Sequence, residues 1–396
     1  MTRWLYVLLA AVPLAIVAEY AHASALVVFV LAGLGLIPLA GLIGVSTEAL
    51  AERMGQRVGG LLNATFGNAA EIIIGLVALS AGLPEVVRAS LSGSIIGNTL
   101  LVLGMSMFFG GWKYREQQFS PRATGQYAAM LVLAVIGMAI PSLLATVGES
   151  TRPGEQVVRG NQLHLASIGI AIILLICYGA YIAYSIFGVR AARDDLLINP
   201  TEELRQEEEL RQLHEMENDI ASHHASAVGR KAGFWTLLGM KWKTAIWFPI
   251  TILALATAIT AVLSEILVGA IDPLTHQIGL NAFFVGLIIL PLVGNAAEHF
   301  SAVSSAGQDH MEVSMAITAG SSIQIALLVA PLLVLAGTII GVPLDLNFSL
   351  LEVAMFALVA GLYTVISLDG VSTWLEGLLL CAFYLILAVG TFFTPS

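Results

Sequence analysis

Eleven apolar runs, most of them long enough to cross a bilayer as a helix, follow one another along this chain. They lie at 4–20, 24–46, 58–81, 85–110, 123–146, 162–187, 243–270, 279–303, 312–340, 348–367 and 372–393. Inside roughly 30 Å of hydrocarbon no water satisfies backbone N–H and C=O groups, so each run must close its hydrogen bonds within itself. Charged residues make up 11% of the 396 positions and hydrophobic ones 58%, whereas soluble domains carry about 25% charge. The reading is an all-α polytopic membrane protein with eleven transmembrane helices. The lipid bilayer is its first partner, and a typical soluble enzyme is excluded.

Orientation follows from the basic residues. With the amino terminus and alternate loops assigned to one side, 14 of the 17 Lys and Arg residues fall there, leaving Arg88, Arg152 and Arg159 opposite. That excess marks the cytoplasmic face. It predicts a multi-pass protein of the cell (inner or plasma) membrane, with the amino terminus and the 188–242 loop inside and the carboxyl terminus outside. Arg3, an apolar run and Ala21-His22-Ala23 also fit a cleaved secretory signal; the run serves equally as the first half of a helical hairpin.

The net charge of −10 is concentrated in one place. Ten acidic residues lie between 194 and 219, opposed only by Arg205 and Arg211. Leu204, Leu210, Leu213 and Met216 among those charges, after Pro200, predict an amphipathic acidic helix. It reads either as a solvated linker or as a regulatory segment with weak Ca²⁺ binding. No basic patch with interleaved aromatics is present, so no nucleic-acid partner is expected. Cys177 and Cys381 lie inside apolar runs and read as buried hydrophobes. A homo-oligomer is compatible with all of this.

The sequence Gly-Asn-Ala-Ala-Glu at 67–71 recurs at 294–298, 227 positions later. At the same offset Glu85-Val86 falls on Glu312-Val313, Gly93-Ser94 on Gly320-Ser321, and Leu100-Leu101-Val102 on Leu327-Leu328-Val329. This is a duplication. The organisation read from it is a first transmembrane helix (1–23), a first repeat (24–187), the cytoplasmic acidic-helix linker (188–242) and a second repeat (243–396). Five spans per half is an odd number, so the halves would be inverted in the membrane, the usual plan of alternating-access transporters.

Polar residues in these spans share faces. Asn63, Gly67, Glu71 and Gly75 follow i,i+4 spacing, with Asn68 three before Glu71. Pro291, Asn295, Glu298, Ala302 and Ser305 do likewise, and adjacent spans add Ser90, Ser94, Asn98, Thr318, Ser321, Ser322 and Gln324. A lone ionised carboxylate at mid-membrane costs on the order of 2.5–3.5 kcal/mol. Two facing carboxylates can instead share a divalent cation or take protons when it leaves. Carboxylate, amide, hydroxyl and backbone oxygens suit Ca²⁺, which takes six to eight, and no cysteine or histidine pair supports a softer metal. No bound cofactor is expected beyond transported Ca²⁺ and H⁺, with Glu71 and Glu298 as the metal ligands.

Each candidate has a plainer alternative. Glu71 and Glu298 could be satisfied polar residues that only hold helices together. Glu85 and Glu312 begin spans, where a carboxylate suits the helix dipole, as caps or entry residues. Glu48, after Thr47, and Glu265, after Ser264, pair as gating or proton-relay residues flanking the core. His299 points about 100° from its neighbour Glu298 and reads as packing or supporting rather than as a ligand.

The stretch Gly59-Gly60-Leu61-Leu62-Asn63-Ala64-Thr65-Phe66-Gly67-Asn68-Ala69-Ala70-Glu71 resembles the first alpha-repeat of calcium/cation:proton antiporters of the cation/calcium exchanger superfamily. Gly294 to Glu298, with Gly320-Ser321-Ser322-Ile323-Gln324-Ile325-Ala326, resembles the second. The resemblance covers nearly the whole chain and is to bacterial-type members. It implies an eleven-helix secondary active transporter, not an enzyme, that exports Ca²⁺ against protons. It further implies Glu71 and Glu298 as central carboxylates, Asn68, Asn295, Ser321 and Gln324 near the site, and Glu48 and Glu265 on long gating helices.

Overall fold

A computed structural model of the chain describes residues 7–151, 160–183 and 246–393. The described residues form thirteen helices. After a short 3₁₀ turn come α1 (Ala11–Tyr20), α2 (Ala25–Phe66) and α3 (Ala69–Ser80). Next are α4 (Pro84–Tyr114), α5 (Pro121–Thr151), α6 (Gly160–Ala183), α7 (Trp247–Gly269) and α8 (Ile271–Ile278). The last are α9 (Ala282–Gly294), α10 (Ala296–Ala306), α11 (Met311–Ile340), α12 (Leu350–Ile366) and α13 (Trp374–Phe392).

The all-helical membrane class holds, but the eleven-span count does not. Among the described residues seven helices are long and apolar enough to cross a membrane, or eight if the bent pair α9–α10 counts as one. Three expected spans fall short as helices: Leu8–Tyr20, Ala69–Ser80 and Leu350–Ile366. At about 1.5 Å per residue, the 12 residues of Ala69–Ser80 cover only about 18 Å and the 17 of Leu350–Ile366 about 26 Å. The expected 58–81 span is divided at Asn68, its first part belonging to the 42-residue α2. Apolar runs count residues and are blind to where the backbone leaves the helix. With the count goes the plan of one extra helix and two inverted five-helix repeats. The acidic helix expected within 188–242, Arg3 and Ser396 lie outside the described residues.

The centre of the bundle is α4 and α11. Their span windows are 83% and 61% buried, against 22% for α6 and 28% for α13, so the last two present their apolar faces to lipid. Both central helices carry a π-helical segment, Gly97–Val102 in α4 and Ile325–Val329 in α11, and α9 carries one at Val285–Ile289. Helix α4 crosses α9 so closely that a Cβ on Gly93 would fall 1.9 Å from the Leu287 carbonyl oxygen. Only glycine permits that approach.

The two ends of the bundle are tied differently. At one end β1 (Glu116–Gln118) pairs antiparallel with β2 (Val371–Thr373). The buried Gln117 side chain there donates to the Ala306 carbonyl and to Asp309 Oδ1, both at 2.9 Å. Lys113 donates to the Gly307 carbonyl at 2.9 Å. At the other end the segment after α11 is held by Ser142, which accepts from Phe348 N–H at 2.7 Å. His164 pairs with Asp345 at 2.8 Å at the same end.

Candidate functional site

Both repeated motifs break a helix at the asparagine. Asn68 (φ −103°, ψ 25°) separates α2 from α3, and Asn295 (φ −91°, ψ 7°) separates α9 from α10. The bend between α9 and α10 is 63°. Three residues past each break stands a glutamate, so Glu71 and Glu298 both occupy the first turn of a new helix. There the partial positive charge of the unpaired N–H groups favours a carboxylate.

The asparagine side chains do not cap these helices. They reach across the bundle instead. Asn68 Nδ2 donates to Gln324 Oε1 on α11. Asn295 Nδ2 donates to Ser94 Oγ on α4 at 2.9 Å and to the Pro291 carbonyl at 3.1 Å. With their N–H groups so engaged, the amide oxygens are left over. Asn68 Oδ1, Glu71 Oε2, Asn295 Oδ1 and Glu298 Oε2 are all buried without a hydrogen-bond partner. A buried polar atom in that state costs about 1–3 kcal/mol, and four acceptors at one centre present oxygen lone pairs with no donor to meet them.

The motifs also meet each other. A Cβ built on Gly294 would stand 3.6 Å from Glu71 Oε1, so the first carboxylate lies over the glycine of the second motif. Glu71 and Glu298 are near enough for their charges to interact. Ser321 accepts from Asn98 Nδ2 at 2.9 Å, while His299 Nε2 lies 3.1 Å from Asn98 Oδ1. A pocket lined by Glu71, Ser90, Ser94, Val86, Ala78 and Leu333, among others, runs from Glu71 toward the α3–α4 turn, away from the β-ribbon.

Of the residues picked from the sequence, Asn68, Glu71, Asn295, Glu298, Ser321 and Gln324 come together, with Asn98 and His299 behind them. Glu85 does not join them: its side chain is 87% exposed and lies 3.9 Å from Arg88. Glu312 sits at the ribbon end, accepting from the Ser120 backbone N–H. Glu48 is half-buried on α2 and Glu265 exposed on α7. The helix breaks themselves went unread. An asparagine three residues before a glutamate is a helix-start signature, and it was hidden by flanking runs that are apolar on both sides.

Among the described residues no three His, Cys, Asp or Glu side chains gather as a metal cluster. Any cation held here would therefore draw on amide, hydroxyl and backbone oxygens as well as the two carboxylates, a donor set that fits a hard cation.

The family model described as sodium/calcium exchanger protein matches residues 24–187 and 248–393. The chain is 39% identical over 390 residues to a Ca(2+)/H(+) antiporter of Synechocystis sp., covering 98% of this chain and 97% of that one. It is 35% identical to the Ca(2+)/H(+) antiporter ChaA of Bacillus subtilis, with 99% of each chain covered. The solved structure of native YfkE is similar with a TM-score of 0.75 at 32% identity, covering 99% of this chain and all of that one.

Proposed function

This chain belongs to the sodium/calcium exchanger protein family, whose members are secondary transporters, and within it we propose a Ca²⁺/H⁺ antiporter that exports Ca²⁺ from the cytoplasm by alternating access. Relatives of that activity match almost the entire chain. The observation that carries the site assignment is the set of four buried oxygens without donors, two from carboxylates and two from amides. Ca²⁺ is bound at 2.3–2.6 Å by such oxygens, completed by hydroxyls, backbone carbonyls and water.

Glu71 and Glu298 carry the exchange. Ionised, they take Ca²⁺; protonated, they lose the charge that holds it. A site loaded with neither leaves two uncompensated carboxylates in low dielectric, which is expensive to move, so Ca²⁺ movement one way is tied to proton movement the other way. Asn68 and Asn295 supply neutral oxygens whose direction is fixed by Gln324 and Ser94. Glu48 and Glu265, on α2 and α7, act as gating or relay groups outside the ligand set. The ribbon end, with Lys113, Arg115 and Arg122, faces the cytoplasm.

The test is Ca²⁺-dependent proton release from proteoliposomes holding only this protein, with Mn²⁺, Mg²⁺, Na⁺ and K⁺ in parallel. Ca²⁺ should drive proton movement without Na⁺. A strict requirement for Na⁺, or no proton movement with Ca²⁺, would overturn the reading.

A further inference from the structure

We infer that Glu352 is a positioning residue for the cation site: its tie to Ser92 sets the rotation of α4, and with it the place of Ser94, which holds the Asn295 side chain. This rests on Asn295 lending its amide oxygen to the cation, as proposed above.

Three consecutive residues of α4 each fix a different neighbour. Ser92 donates to Glu352 Oε1 on α12 at 2.6 Å. Gly93 lies so close to α9 that a Cβ there would stand 2.7 Å from Pro291 Cγ. Ser94 Oγ accepts from Asn295 Nδ2 at 2.9 Å, at the break between α9 and α10. Residues two apart emerge about 200° apart around a helix, so Ser92 and Ser94 leave α4 on nearly opposite sides. The glycine between them offers α9 bare backbone and no side chain to resist turning. Ser92 and Ser94 share the regular stretch Pro84–Ile96, and the next side-chain bond to another helix, from Asn98, falls in the π-helical segment beyond it.

Glu352 is held firmly. It is 4% exposed, and its Oε2 accepts from the Ser349 N–H at 2.8 Å and from Ser349 Oγ at 2.9 Å. Those bonds close the capping box that starts α12 and leave Oε1 to Ser92. Hydrogen bonds to a carboxylate are about twice as strong as those between neutral groups, so the anchor at Ser92 outweighs the grip at Ser94. A serine oxygen stands about 4 Å from the helix axis, against about 2.3 Å for Cα, so a turn of about 15° carries it about 1 Å. That movement takes Ser94 from Asn295 and leaves the Pro291 carbonyl alone to orient the amide. The direction of Asn295 Oδ1, which has no partner of its own, is then no longer fixed.

The experiment uses reconstituted full-length protein with Ca²⁺ as probe. Ser92→Ala cuts the tie and leaves the capping box intact; Ser349→Ala does the reverse. Ser92→Ala should raise the apparent KM for Ca²⁺ about fivefold, the worth of the one hydrogen bond lost at Asn295, with kcat changed less than about twofold. Ser349→Ala should lower the thermal unfolding midpoint and leave KM within about twofold. Glu352→Leu should match Ser92→Ala. Glu352→Gln, whose amide pairs with Ser92 in either orientation, should restore KM. Because the tie acts through Ser94, Ser92→Ala added to Ser94→Ala should raise KM no further.

A normal KM in Ser92→Ala, an equal rise in Ser349→Ala, or defects of Ser92→Ala and Ser94→Ala that multiply would overturn the positioning role. Should Glu352→Leu insert poorly, Ser92→Ala, which removes a single oxygen, decides alone. Asn295→Ala is run alongside. Its failure to weaken Ca²⁺ binding would overturn the underlying site, whereas a strong Asn295→Ala defect beside a normal Ser92→Ala overturns the positioning role alone.

Discussion

The carboxylate of Glu71 lies directly over Gly294, with Oε1 3.6 Å from where a Cβ would stand. One repeat's charged group therefore rests on the other repeat's smallest residue. In the proposed mechanism the space beside that glycine is where the cation sits.

Gly294→Ala tests this. At 3.6–3.9 Å the new methyl makes ordinary contact with Glu71, so folding should be retained. The methyl occupies room that coordinating oxygens or water need, so apparent Ca²⁺ affinity should fall several-fold, and Gly294→Val should fall further. Unchanged Ca²⁺ dependence in Gly294→Val would refute the placement.

Removing either central charge should be far more severe. Glu71→Gln and Glu298→Gln each leave one carboxylate to face a divalent ion, and losing a buried charge partner costs about 100-fold or more in affinity. Coupled exchange should disappear in both. Glu85→Gln should keep a measurable rate, because that side chain is 87% exposed. Ca²⁺-dependent proton release at matched protein content measures all three.

In the proposed mechanism protons and Ca²⁺ compete for the same oxygens, which fixes the sign of the pH dependence. Lowering pH protonates Glu71 and Glu298 and should weaken Ca²⁺ binding; raising pH should strengthen it until both are ionised. Direct Ca²⁺ titrations at several pH values will show this. Affinity that does not fall on acidification would refute competition.

The ribbon end should matter for stability rather than for ion recognition. Gln117→Ala deletes two buried donations and should cost about 1–3 kcal/mol, read as a lower thermal unfolding midpoint in detergent. Gln118→Ala, exposed on the same strand, is the control and should change little.

Sidedness can be read by impermeant thiol labelling after Cys177 and Cys381 are replaced. Single cysteines at Glu116 and Glu85 lie at opposite ends of α4 and should label from opposite faces, Glu116 from the cytoplasm. Labelling of both from one face would refute the assignment of α4 as a span.

What could be read from the sequence depended on the kind of signal. The Asn-Ala-Ala-Glu motifs were legible because a duplicated polar cluster in apolar surroundings has few explanations. Ser321 and Gln324 stood out as polar residues in apolar spans, and their place beside the motifs is what the resemblance to the antiporter family implies. The span count failed where Asn68 and Asn295 interrupt runs that remain apolar on both sides, and where the helices Leu8–Tyr20 and Leu350–Ile366 are shorter than a span. The β-ribbon left no trace, since three residues per strand carry no periodicity, and Gln117 gives no hint in sequence that it will be buried. The capping boxes Ser349–Glu352 and Thr373–Glu376 were readable helix starts. Glu352 also accepts from Ser92 on α4 at 2.6 Å, a tertiary tie that no local pattern announces.

Each of the two glutamates stands in the first turn of a helix, whose amino end contributes roughly half a positive charge. On the proposed mechanism, two carboxylates and two such ends leave the bare centre near −1, and either one Ca²⁺ or two protons would bring it to about +1. The outbound and returning forms are then electrically alike. In a one-for-two exchange the membrane potential neither helps nor hinders the cycle, and the pH difference alone drives export. Only a third proton would let voltage do work, at about 2.3 kcal/mol per 100 mV.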